Sequence, residues 1–258
     1  MISSFKELYK YRELLKSNVK KEIRGKYKAS FLGVLWSFIN PLLMTLVYAI
    51  VFPFLLRNGQ PHYTTFIVIA ILPWVWCTTV IAQGTPVVLN NGGIVKKVFF
   101  PREILPISVV TSGLVNYLIS CTIIAIFLIC SGIGFNINIL FLPLIMVIQY
   151  IVLLGIILIT SSIDVYVRDV EYIVNFIMQM VFYATPILYP MEMFPGWVQK
   201  LLRLNPMATI IESYRNIFYY QTAPNLKYLA FVGIGGLIVV IIGFRIFNKL
   251  QKGFAEEL

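Results

Sequence analysis

The sequence predicts an all-α integral membrane protein with six transmembrane helices, and three observations carry that prediction. Of 258 residues, 59% are hydrophobic and 12% are charged, against about 25% charged in a soluble domain, so too few charges remain to coat a globular surface. The charges are also clustered, with nine of the 21 Lys and Arg before residue 29. The others sit almost entirely between long uncharged runs, the pattern of loops flanking bilayer spans. The basic excess, 21 residues against 11 acidic ones, thus points to membrane topology and away from nucleic acid.

A helix crosses a hydrocarbon core of about 30 Å with about 20 apolar residues. Residues 29–56 form the first such run and 63–89 the second, joined by a short polar connection that contains Arg57 and His62. Residues 104–163 carry no charge and hold spans three and four, joined by the turn-forming Ser131-Gly132-Ile133-Gly134-Phe135-Asn136. Residues 172–191 make the fifth span. Residues 226–244 make a short sixth, interrupted near its middle by Gly233, Gly235 and Gly236. Each must be a helix, because lipid leaves no partner for an open sheet edge.

Six spans place both termini on one side, and the basic leader holds that side in the cytoplasm. Sixteen basic residues then lie inside, among them Lys96, Lys97, Arg102, Arg168, Arg245, Lys249 and Lys252. Five lie outside: Arg57, Lys200, Arg203, Arg215 and Lys227. The chain reads as a single transmembrane domain: residues 1–28 as a cytoplasmic amphipathic interface helix, 29–191 as spans one to five, 192–225 as an extracellular re-entrant segment, 226–247 as span six and 248–258 as a cytoplasmic tail. In the leader, Leu8, Leu15, Val19 and Ile23 recur at helical spacing among Lys and Arg, as in a helix lying on an anionic membrane surface.

Four polar segments interrupt the apolar pattern. Arg24, Lys26 and Lys28, with Trp36, form a basic cluster at the cytoplasmic mouth of any pathway. The loop after span two sets Phe99 and Phe100 beside Lys96, Lys97, Pro101, Arg102 and Glu103, a mixture suited to docking a soluble partner or to anchoring in the interface. A second cytoplasmic cluster holds Asp164, Arg168, Asp169 and Glu171, and Asp164 can pair with Arg168 four residues on if the helix continues. It has no accompanying nucleophile or metal ligand, so acid–base catalysis is not the reading. The outside segment contains two apolar-patterned stretches, 194–204 and 206–220, with Asn205-Pro206 as a helix start. They are expected as two short re-entrant helices, with Tyr189, Trp197, Asn205 and Pro206 as an extracellular gate.

In span five, Tyr172, Phe176, Gln179 and Tyr183 fall within about 60° of one helix face. Asn40 and Tyr48 belong to a weaker series in span one. Aromatic faces stack on sugar rings without a fixed hydrogen-bond register, so these residues are candidates to line a channel or, alternatively, to pack between spans. No Asp, Glu, Lys or Arg lies deep in a span, which disfavours ion-coupled transport. Cys77, Cys121, Cys130 and His62 have no metal-site spacing, and no metal site is expected. A phosphate-binding G-x-x-x-x-G-K-[ST] loop is absent, since Gly25-Lys26 runs into Tyr27 without an upstream glycine. Energy from ATP would need a partner chain.

These residues carry a resemblance. Arg24-Gly25-Lys26-Tyr27-Lys28 through Trp36, followed by Asn40-Pro41-Leu42, resembles the start of type-2 ABC exporter permeases for polysaccharides and polyol phosphates. Lys96 through Glu103, then Asp164-Val165-Tyr166-Val167-Arg168-Asp169, Thr185-Pro186-Ile187-Leu188-Tyr189-Pro190 and Leu204-Asn205-Pro206-Met207, continue it in order over nearly the whole chain. The resemblance implies a homodimer with two ABC ATPase subunits, which bind the ATP and Mg, in the bacterial cytoplasmic membrane. It implies export of a lipid-linked glycopolymer, an O-antigen-type glycan or a teichoic acid, with residues 96–103 as the ATPase-coupling segment and no cofactor in this chain. A Lys-, Asn- and Ile-rich composition leans toward teichoic acid. The alternatives are a permease for a drug or simple lipid and a membrane enzyme acting on lipid-linked sugar.

Overall fold

The computed structural model describes residues 10–25, 36–56 and 61–258. The basic residues Lys26 and Lys28 and the leader residue Leu8 lie outside the described residues, as does the side chain of Arg24. All regular structure among the described residues is helical. The helices are α1 (Arg12–Gly25), α2 (Trp36–Leu56), α3 (Tyr63–Gly84), α4 (Val87–Asn90), α5 (Gly92–Lys97), α6 (Ile104–Cys130), α7 (Leu142–Asp164), α8 (Asp169–Tyr183), α9 (Gly196–Leu202), α10 (Pro206–Phe218), α11 (Leu226–Leu250) and α12 (Phe254–Glu257). Short 3₁₀ turns precede α7, α9 and α12.

Among the described residues, four helical stretches are long and apolar enough to cross a membrane: Tyr63–Gly84, Ile104–Cys130, Ile137–Asp164 and Leu226–Glu257. The uncharged α2 has 21 residues, a length of about 31 Å at 1.5 Å per residue. The expected fifth span is shorter than the run 172–191, because α8 has 15 residues and stops at Tyr183. The cause is local. Pro186 disfavours helical geometry at Thr185, and the Thr185 hydroxyl turns back to donate to the Val181 carbonyl at 2.6 Å.

The helix α3 is apolar all round, and residues Phe66 to Leu72 are each at most 3% exposed. Such a helix belongs in the middle of a bundle, and α3 contacts α2, α6, α7, α8 and α10. Its internal Pro73 carbonyl accepts from Gln149 at 2.9 Å, while Gln149 in turn accepts from the Tyr214 hydroxyl at 3.0 Å. The fully buried amide is thereby satisfied on both sides.

Gly233, Gly235 and Gly236 do not interrupt the last long helix as expected. The helix α11 runs unbroken from Leu226 to Leu250, and its small residues let it press against α7. A Cβ built on Gly243 would lie 3.0 Å from the Gly155 carbonyl oxygen, and one on Gly155 would lie 2.9 Å from the Val240 nitrogen. This is the close small-residue packing by which helices associate in lipid, where apolar burial alone gives little drive.

The turn after α6 forms where glycines were expected to make it. Gly132 and Gly134 take φ values of 71° and 73°, a region open to residues without a Cβ. Asn136 then caps the following 3₁₀ turn, accepting from the Asn138 nitrogen at 2.7 Å. In α1, Leu15, Val19 and Ile23 are half-buried while Lys16, Lys20 and Lys21 are exposed, and the helix packs against α6. Lys16 donates to Glu13 at 2.9 Å, and that bond holds the Glu13 carboxyl below its usual value.

Candidate functional site

The loop between α3 and α6 is built to present one side chain. Residues 98–102 leave the helix, with Val98 in extended geometry, and the two aromatic side chains that follow part company. Both aromatics were expected on the docking surface, but Phe100 turns into the bundle and is 6% exposed while Phe99 is 95% exposed. Exposed Ile94 and Val98 flank it, with Lys96 and Lys97 exposed beside them. The result is an apolar knob with a basic rim. Asn91, at the foot of the knob, donates to the Val87 carbonyl at 2.8 Å and accepts from Lys21 of α1 at 3.0 Å. Glu103 is buried, Pro101 and Arg102 are half-buried, and Arg102 donates to the Gln251 carbonyl beyond α11.

The second cluster does not assemble as an ion pair. Helix α7 ends at Asp164 and α8 begins only at Asp169, so the four-residue helical spacing between Asp164 and Arg168 is broken and no salt bridge joins them among the described residues. Asp164 is fully buried. Its carboxylate faces the backbone of Glu171 in the first turn of α8, without a hydrogen bond of good geometry, where the helix dipole favours negative charge. Arg168 and Asp169 are exposed and Glu171 half-buried.

The aromatic stripe of α8 faces away from the rest of the chain. Tyr172 is 74% exposed and Tyr183 also 74%, with Phe176 and Gln179 exposed between them. Beside this stripe runs a groove of about 550 Å³ between α2, α3 and α8, lined by Met44, Tyr48, Trp74, Thr78, Gln179 and Tyr183 among others. Phe182 forms its floor, 6.1 Å from the Tyr48 ring and 5.8 Å from that of Trp74. Asn40 is exposed on α2 outside that lining, and Trp36 is partly exposed at its start.

At the opposite end, the two Pro-containing motifs meet. Asn205 caps α10 by accepting from the Met207 nitrogen at 3.0 Å, and its amide donates to the Thr185 hydroxyl at 2.7 Å. Pro206 occupies the first turn of α10. The Tyr189 hydroxyl donates to the Tyr183 carbonyl at 2.6 Å, which ties this loop to the end of the aromatic stripe. Trp197 on α9 is 71% exposed.

Comparison with known proteins gives the family. The family described as ABC-2 type transporter matches residues 13–219, which include the knob, the groove and the junction of the two motifs. The chain belongs to the ABC-2 type transporter family. It is similar over its whole length, at 32% identity, to the whole of the O-antigen export system permease protein RfbA of Myxococcus xanthus. It is 34% identical to two O-antigen export system permease proteins RfbA of Klebsiella pneumoniae, over 95% of each chain. With its long apolar helices, this ABC-2 family member is a multi-pass membrane protein.

One residue of the ABC-2 chain was missed by sequence reasoning. Arg215, counted above among the outside loop charges, is 2% exposed. Its guanidinium donates to the carbonyls of Pro186, Ile187 and Tyr189, binding the Thr185–Pro190 motif to α10. The signal was present: Met207, Ile211, Arg215 and Phe218 follow one another at steps of four, four and three, placing the arginine on the apolar face of α10.

Proposed function

We propose that this chain is the membrane subunit of an ATP-driven exporter that moves a lipid-linked cell-envelope glycopolymer to the outer face of a bacterial cytoplasmic membrane. The full-length similarity to O-antigen export permeases carries this reading and favours an O-antigen-type glycan over a teichoic acid. In this reading α2 is the first of six spans and α8 a short fifth. Helices α9 and α10 are re-entrant from outside, and both termini are cytoplasmic.

Two copies would face one another across their grooves. The exposed stripe Tyr172, Phe176, Gln179 and Tyr183, with Tyr48, then becomes the wall of a closed channel, along which sugar rings slide by stacking. A lone chain leaves that wall open to lipid. Two ABC ATPase subunits, holding ATP and Mg, would each seat the Phe99 knob in a pocket between charged rims. The basic cluster Arg24, Lys26 and Lys28 would receive the anionic pyrophosphate or phosphate of the lipid carrier, with Trp36 at its edge. The junction of Tyr189, Asn205 and Pro206, with Trp197, would close the exit.

Reconstitution with the ATPase into proteoliposomes tests the proposal. ATP hydrolysis should rise with lipid-linked glycan, and glycan should become accessible to a glycosidase on the far side. Stimulation by a small apolar drug with no response to glycan would replace this reading with drug export.

A further inference from the structure

The residues that follow the last long helix are placed where they bear on the coupling step. Phe254, four residues beyond α11, is fully buried. Its ring packs 5.6 Å from Phe247 of α11 and 6.3 Å from Tyr166 of the α7–α8 turn. Tyr166 also donates from its hydroxyl to the Leu250 carbonyl at 2.8 Å.

The same segment touches the coupling loop on both sides of Phe99. Before Phe99, Leu258 covers Gly92: a Cβ built there would lie 3.7 Å from the Leu258 Cβ. After Phe99, Arg102 donates to the Gln251 carbonyl and lies 5.9 Å from the Phe254 ring centroid, and the Gln251 amide reaches Glu103 at 3.4 Å. Residues 98–102 have no helical ladder of their own. A push on Phe99 would be absorbed by such a segment unless it were braced from outside.

We infer that residues 251–258 form a clamp that makes the coupling loop, the α7–α8 turn and the end of α11 move as one body, with Phe254 and Gln251 as positioning residues. Force received at Phe99 then reaches α11, and through its glycine contacts α7, as well as α6. This rests on the exporter reading above.

The test uses the full transporter with its ATPase. In a Cys130→Ser background, Gly92→Cys with Leu258→Cys places two Cβ atoms at a separation suited to a disulfide, about 3.5–4.5 Å. The expected result is that oxidation forms the bond and glycan export per ATP stays at the reduced level. Loss of export on oxidation, regained on reduction, overturns the inference, because the clamp would then have to open in each cycle.

Phe254→Ala supplies the second arm. The ATPase should still co-purify and hydrolyse ATP, while export per ATP falls several-fold below wild type; Phe254→Tyr should restore it. Wild-type export per ATP in Phe254→Ala overturns the clamp. If this variant fails to assemble, the disulfide arm decides alone. A wild-type complex that moves no glycan overturns instead the functional reading on which the clamp rests.

Discussion

The guanidinium of Arg215 lies 3.5 Å from the centroid of the Phe66 ring. One buried cation therefore joins α10, the first turn of the central helix α3 and the Thr185–Pro190 loop, without a carboxylate within ion-pair distance among the described residues. Three backbone carbonyls and a ring face take the place of a counter-ion. Nearby, the Tyr63 hydroxyl donates to the Leu188 carbonyl at 2.7 Å, which holds the same loop from a further direction, and Tyr219 donates to the Pro61 carbonyl just ahead of α3.

Arg215→Lys should unfold at a clearly lower temperature than wild type in detergent. A lysine has one point of charge where the arginine has a planar fork, and each carbonyl left without a donor costs about 1–3 kcal/mol. Thermal unfolding followed by tryptophan fluorescence checks this. An unchanged midpoint would mean that the fork is not what holds the loop.

Phe99→Ala should separate stability from assembly. The side chain is 95% exposed, and surface substitutions of this kind change stability by no more than about 0.5 kcal/mol. The melting temperature should hold while co-purification of the ATPase is lost. Retained co-purification and coupling would remove Phe99 from the docking surface.

Tyr183→Ala should lower glycan export by about 2- to 10-fold, the range of one aromatic contact, with ATPase assembly unaffected. Tyr183→Phe should keep export near wild type if the ring face is the working part. Its hydroxyl makes no bond to the Tyr189 loop, whose link runs through the Tyr183 carbonyl. Equal export in all three proteins would leave the stripe without a role in the pathway.

Gly243→Val should destabilise the pairing of α7 and α11. The added Cβ meets the Gly155 carbonyl at 3.0 Å, and overpacking of this kind costs about 1–3 kcal/mol. Gly235→Ala, where an added Cβ meets nothing within 4 Å, should leave the melting temperature unchanged. Equal effects at the two sites would argue against close helix contact as the reason for the glycines.

Several parts of the site were legible because they depend on local rules. The Asn205 cap, Pro206 at the first turn and the turn at Gly132 and Gly134 follow from what each residue type permits in the backbone, and the structure has them at those positions. The four-residue spacing of Asp164 and Arg168 misled, because it presumes a continuous helix and the chain leaves α7 at Asp164. The tail against Arg102 and Glu103 had no signal at all, since the contact joins residues separated by almost 150 positions.

By itself, the sequence determined that the chain is helical and membrane-embedded, and it singled out the residues exposed at Phe99 and along Tyr172 to Tyr183. Those properties come from composition and period, which need no knowledge of neighbours. Only the tertiary structure decided that α3 is the centre, that α11 runs unbroken and meets α7 closely at Gly243, and that Arg215 is buried. Each of those is a choice among apolar surfaces that look alike in one dimension. Shape and backbone hydrogen bonding, which act only once the helices meet, make the selection.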